Sequence, residues 1–393
     1  MHRGKTIMAE NGTRTYVLTG ATGFLGSHLM ASLLERGNRV VVLGRCSADG
    51  SLAARINKLL EWFGLQMHSD QVETAEVDFL KPLCGLNPDR YAALCDKSGH
   101  IIHCASDTRF SEQHRQELTA INVDSLDQIL ELAKNSTAPG LHYVSTAYAA
   151  GISSSFCQET PVASEQFVNV YEETKACAEK KITAQCTMHA IPFTIIRPSI
   201  VYGDSRSGRA THFNALYNHV KSLHFIREIY VNDIQSHGGV RSKELGIYLD
   251  DKDILHLPLK VVVAHRGYIN LIPVDYFVSA ALSILEQGKT GKIYHITSDA
   301  PETLEDLALY CESFLKIQGI EIVYGGNASY SAFNPPEALF NRFIGPYLPY
   351  LSDTRTFERS NTDAATAGLI PPDFTYDVFE RCMDYAVRVH WGK

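Results

Sequence analysis

The run Gly20-Ala21-Thr22-Gly23-Phe24-Leu25-Gly26 constrains this chain more than any other feature, because it stands between a strand signal and a helix signal. Thr15 to Thr19 is short and β-rich, while Phe24 to Arg36 places Leu25, Leu29 and Leu33 at helical spacing before Gly37 stops it. Arg39-Val40-Val41-Val42-Leu43 then runs almost wholly apolar, as a parallel strand buried on both faces must. The opening therefore reads β-α-β, with a right-handed crossover.

The alternation continues. Ser51 to Phe63 is an amphipathic helix ended by Gly64, and Ala75–Phe79, His100–Cys104, Leu141–Ser145 and Phe193–Arg197 are short apolar strands, most of them separated by helical segments. This pattern predicts an α/β fold, a doubly wound parallel Rossmann sheet whose ligands sit at the carboxyl ends of its strands. Residues 204–262 are less regular. Tyr268–Pro273 and Ile293–Thr297 read as later strands, and residues 301–393 hold helices and a stretch rich in Pro and Tyr, which together predict a smaller, mixed C-terminal lobe.

Composition narrows the class. Hydrophobic residues are 45% and charged residues 20% of the 393, without like-charge blocks, as in an enzyme with a substantial core. A formal net charge of −8 gives no field for a phosphate backbone, so nucleic acid is not an expected partner. No apolar run approaches the roughly 20 residues that cross a bilayer, and Met1-His2-Arg3-Gly4-Lys5 leads into polar residues, so neither a transmembrane segment nor a signal peptide is expected. The nine cysteines include no Cys-x-x-Cys, which points to a reducing cytoplasm. Six of the 16 histidines (His212, His219, His224, His237, His256, His265) fall in one stretch without an i, i+4 pair, and no metal is expected.

The glycines have separable tasks. Gly20 permits a tight turn, Gly23 lets the backbone approach a pyrophosphate, and Gly26 allows close packing, with the helix N-terminus facing the phosphates. Dinucleotide binding follows. The second strand ends Leu43-Gly44-Arg45, where an arginine suits a 2′-phosphate better than ribose hydroxyls, so the expected cofactor is NADP(H). Asp78, at the end of the third predicted strand, is placed to accept a hydrogen bond from an adenine amino group.

Tyr171-Glu172-Glu173-Thr174-Lys175 sets a tyrosine and a lysine four apart, on one helix face. Alone the pair means little among 19 tyrosines. It gains meaning from Val144-Ser145-Thr146-Ala147-Tyr148, which ends a predicted strand where substrate should lie. Hydride addition to a carbonyl builds negative charge on oxygen: a phenol can protonate it, an ammonium lowers the phenol's pKa, and Thr146, with Ser145, can hold the oxygen.

These motifs, with Arg197-Pro198-Ser199-Ile200-Val201-Tyr202-Gly203, resemble the extended short-chain dehydrogenase/reductases. Within them the chain is similar to the male sterility-type branch of thioester reductases and fatty acyl reductases. The features are Arg45, the helix through Ala53-Ala54-Arg55-Ile56, the stretch Val77-Asp78-Phe79-Leu80 to Gly85-Leu86, and Tyr202-Gly203-Asp204-Ser205-Arg206-Ser207-Gly208. The resemblance implies catalytic Thr146, Tyr171 and Lys175, assisted by Ser145. It implies a cofactor lining of Gly20, Thr22, Gly23, Phe24, Leu25, Gly26, Arg45, Asp78, Phe79, Ala105 and Pro198, with Asn122, Tyr171 and Lys175 at the reacting end. The expected reaction is NADPH-dependent reduction of an acyl thioester on acyl carrier protein or coenzyme A to aldehyde, or onward to alcohol. Its rivals are a sugar-nucleotide epimerase or dehydrogenase, or another oxidoreductase of the type, and a non-catalytic nucleotide sensor or assembly factor. Relatives of this kind often form homodimers. The expected division is a loose tail at 1–12, the cofactor core with its catalytic residues at 13–205, an inserted lobe segment at 206–262, a return to the core at 263–300, and the substrate lobe at 301–393.

Overall fold

A computed structural model describes residues 13–97, 99–137, 140–325 and 333–392; the tail expected at 1–12 lies outside them. Seven strands form the main sheet, in the order Lys292–Ile296, Phe193–Pro198, Leu141–Val144, His100–His103, Thr15–Thr19, Arg39–Gly44 and Val72–Glu76. Pairing is parallel wherever the register is defined, from Thr15↔Arg39 on one side of the first strand to Tyr16↔His100 on the other. The order reverses at that first strand, the switch point at which doubly wound sheets hold ligands.

Local signals explain the early elements. The helix Phe24–Glu35 buries Leu29, Leu33 and Leu34, and Gly37 ends it with φ +77°. Ser51 caps the helix Leu52–Phe63 by accepting from Ala54 N at 3.2 Å, and Gly64 closes it in the left-handed conformation at φ +73°.

Two predicted strands differ. The third lies at Val72–Glu76, not Ala75–Phe79, with Val40↔Val72 and Gly44↔Glu76 in register. It is an edge strand with Glu73 and Glu76 exposed, so continuous apolar character is the wrong signal for it. The later run is a strand only over Leu271–Pro273, which pairs with Ile200–Tyr202 in a separate two-stranded sheet.

The described chain groups into two compact units: one formed by residues up to Ala105 with Ser125–His142 and Cys186–Pro192, the other by Ser106–Asp124, Tyr143–Gln185 and Phe193 onward. In the second, the irregular stretch after residue 204 holds the long helix Leu216–Ser236 and a smaller mixed sheet. There Leu255–Val263 runs parallel to Ile317–Tyr324 and antiparallel to Tyr248–Leu249.

Candidate functional site

In the first unit the turn is shaped by missing side chains. Gly20 has φ +74°, and a Cβ there would stand 2.6 Å from Ala105 N. Ala105 N in turn donates to Thr19 Oγ1 at 3.2 Å, and that hydroxyl also pairs with His103 Nδ1 at 2.9 Å. A Cβ on Gly26 would collide with the carbonyl of Gly20, so the helix can approach the turn only with glycine there. Gly23 differs. Its backbone is extended, and an added Cβ would meet only Gly20 O, at 3.3 Å. Folding presses less on position 23 than on 20 or 26, because the Gly20 carbonyl would have to give by only a few tenths of an ångström, whereas a phosphate lying against the backbone would exclude a Cβ. No side chain caps the helix that begins at Phe24, and Thr22, Phe24 and Leu25 are half-buried around its start. The residues present fit a dinucleotide's pyrophosphate.

Arg45 is exposed one residue past the strand Arg39–Gly44, and Arg55 of the next helix donates to its backbone oxygen. Two guanidinium-bearing residues therefore meet at this strand end, Arg45, which the sequence marks, and Arg55, which only the fold brings there. Asp78 lies in a turn after the edge strand. Its carboxylate accepts from Leu80 N at 3.1 Å and pairs with Lys81 at 3.1 Å, and these hold its pKa below the ordinary carboxylate value. Phe79 is buried, edge-on to His103.

In the second unit Tyr171 and Lys175 lie one turn apart near the start of the helix Val170–Met188. Lys175 is almost wholly buried: its ammonium donates to Val144 O at 2.7 Å and stands 4.2 Å from the Tyr143 ring centroid. Val144 closes its strand, so the lysine is fixed to the backbone that leads into Ser145 and Thr146. Thr146 is buried, with Oγ1 accepting from Tyr148 N at 3.4 Å. Ser145 Oγ is buried without a hydrogen-bond partner among the described residues, while its N–H donates to Ile196 O. Pro198 ends its strand opposite Ile296.

Asn122 is fully engaged. Its Oδ1 accepts from Asp107 N at 2.8 Å and Ser106 Oγ at 3.1 Å, and its Nδ2 donates to Asp107 O at 2.9 Å and Thr174 Oγ1 at 3.0 Å. That leaves no side-chain position for a ligand, so the placement suits support of the loop and of the Tyr171 helix, not cofactor contact.

Several neighbours of this group escaped the sequence reading. Phe110 packs 5.9 Å from the Tyr171 ring, and Tyr347 and Tyr350 pack on Phe110 at 5.3 and 5.6 Å. Arg355 reaches Glu172, beside Tyr171, at 3.1 Å, and also pairs with Asp353 at 2.5 Å; all three side chains are at most 8% exposed. Arg355 donates further to the carbonyls of Tyr148 and Gly151. Burial pushes the phenols of Tyr148 and Tyr350 up, which keeps them neutral. The only available signal was the tyrosine and proline density around 345–350, which has no periodicity.

A family profile described as "Male sterility protein", of the NAD-binding kind, matches residues 18–281. The chain belongs to that family. It is thus an NAD(P)-binding oxidoreductase by family, and its fold is shared with solved structures. One is the terminal R domain from the myxalamid PKS-NRPS biosynthetic pathway, with TM-score 0.75 and 22% identity over 98% of this chain and 92% of that one. Another is the thiolation-reductase di-domain of an archaeal non-ribosomal peptide synthetase, with TM-score 0.71 and 14% identity over 97% and 76%. At these identities the shared property is the fold. Among curated proteins, the nonribosomal peptide synthetase asaC of Aspergillus flavus is 24% identical over 305 residues, 74% of this chain and 26% of its own length. The chain spans only a small part of the curated relatives it matches. No helix among the described residues is long and apolar enough to cross a membrane.

Proposed function

We propose that this chain reduces an acyl thioester, carried on an acyl carrier protein or coenzyme A, with NADPH. The observation that carries the reading is the Tyr171–Lys175 helix face with its buried ammonium fixed on Val144 O, immediately before Ser145-Thr146. Family membership supports hydride chemistry, and the reductase domains of peptide synthetases support a thioester as substrate. The thiolation domain joined to the reductase in the archaeal structure favours a carrier-bound acyl group.

In this reading the turn at Gly20 to Gly26 takes the pyrophosphate, and Arg45, with Arg55 beside its backbone, takes the 2′-phosphate. A nicotinamide cofactor held there would supply the hydride for the carbonyl carbon, and the residues around Tyr171 do the rest. Tyr171 gives its phenolic proton to the carbonyl oxygen as charge develops there. The Lys175 ammonium lowers the cost of the resulting phenolate, and Thr146 holds the oxygen by its hydroxyl. The C–S bond of the hemithioacetal then breaks as its hydroxyl loses the proton that the departing sulfur takes up, leaving thiol and aldehyde; a second equivalent of NADPH would carry the aldehyde on to alcohol.

The test is nicotinamide oxidation by the purified protein with acyl-CoA and acyl-carrier thioesters, sugar nucleotides and simple ketones, with NADPH and NADH compared. Thioester-dependent NADPH consumption is expected. Tyr171→Phe should lower it by about 10²–10⁴-fold, the usual worth of a positioned acid, while NADPH binding measured by fluorescence persists. Consumption confined to ketones or sugar nucleotides would overturn the reading, and a fully active Tyr171→Phe enzyme would remove the phenol from it.

A further inference from the structure

The Phe110 ring is half-buried and backed by groups that hold it in place. On one side stands the Tyr171 ring, at a centroid separation of 5.9 Å, which is contact distance for two aromatic rings and leaves no width for a methylene chain between them. On others stand Tyr347 at 5.3 Å and Tyr350 at 5.6 Å. Those phenols are themselves pinned: Asn218 Nδ2 donates to Tyr347 OH at 3.0 Å, and Asn169 Nδ2 donates to Tyr350 OH at 2.8 Å. The loop that carries Phe110 is also tied. Asn122 holds Ser106 and Asp107, and Arg109 bridges Asp107 and Glu117, each at 2.6 Å. The backbone that leads into Phe110 is thus tied and its ring packs on three others, yet part of it remains accessible as an apolar surface.

We propose that Phe110 sets the length of acyl group accepted beside Tyr171, restricting the substrate to compact acyl groups that end against its ring. The inference rests on the thioester reading above. On this proposal the acyl substituent of a carbonyl hydrogen-bonded to the Tyr171 phenol runs toward Phe110, the ring packed on Tyr171, and a long linear chain has to displace that ring from its contacts with Tyr347 and Tyr350.

The experiment compares wild type, Phe110→Ala and Phe110→Trp on acyl-CoA thioesters of increasing chain length, with aldehydes of the same lengths run alongside. Wild type should favour short chains. Phe110→Ala should shift the ratio of long-chain to short-chain kcat/KM upward by about tenfold or more, and Phe110→Trp should shift it downward, since an extra or missing methylene in a pocket changes kcat/KM on that scale. Phe110→Leu gives the same upward shift, smaller, should the alanine variant fail to fold. An unchanged chain-length profile in all variants overturns the role of Phe110 while leaving thioester reduction intact. Activity on aldehydes alone overturns thioester reduction, and the aldehyde profile then still decides on Phe110.

Discussion

The glycine turn and the start of the Tyr171 helix are two small regions built on opposite principles. At the turn the geometry comes from absent atoms: Gly20 has a positive φ, and Gly26 has no room for a Cβ. At the helix it comes from buried charge, with Arg355 held between Glu172 and Asp353 and donating to two carbonyls. The turn's glycine pattern and its positive φ are written within seven residues of sequence, although Gly20 also packs on Ala105, whereas the helix start depends on a partner 183 positions away. Local sterics make the first region legible in sequence; long-range electrostatics hide the second.

The strongest way to break this contrast is Arg355→Met. It leaves Glu172 and Asp353 buried without their cation, and should cost about 3–5 kcal/mol in denaturant unfolding. Adding Glu172→Gln should recover part of the loss, because the pair is coupled. Strictly additive losses would show that the ion pair does not organise the helix start.

A smaller effect sharpens the other side. Gly26→Ala forces a Cβ against the Gly20 backbone and should cost roughly 1–3 kcal/mol as well as dinucleotide binding. Gly23→Ala should cost clearly less stability than Gly26→Ala yet weaken NADPH binding in titration. Equal stability losses in the two variants would mean that Gly23 is held by the fold and not reserved for a ligand.

The smallest effect concerns a half-buried carboxylate of the second unit in a different setting from Glu172. Burial pushes Glu302 up to about 7, with Asp306 and Asp373 adding repulsion. Because the folded-state value is raised, the stability associated with protonated Glu302 is fully present below its ordinary value near 4.5 and is lost as pH rises through about 7. Glu302→Gln should therefore raise Tm by a degree or two at pH 8, on the order of 1 kcal/mol once its partial exposure is allowed for, and change little at pH 4. An equal shift at both pH values would exclude titration as the cause.

Much of the candidate site was readable because its determinants are local. Helical spacing puts Tyr171 and Lys175 on one face, and the apolar run Leu141–Val144 ends just before Ser145-Thr146. The edge strand was misplaced by three residues because its ladder to Arg39–Gly44 tolerates charged side chains, so hydrophobicity carried no register.

The amino-acid sequence by itself determined the β-α-β opening, the glycine turn and the spacing of the Tyr/Lys pair, since capping, periodicity and Cβ sterics act over a few residues. Tertiary structure alone decided that Asn122 is consumed by Ser106, Asp107 and Thr174, that Phe110 stands between Tyr171 and two pinned tyrosines, and that Arg355 neutralises Glu172. Those arrangements depend on packing and charge between segments far apart in the chain, where no period or motif records which side chain will meet which.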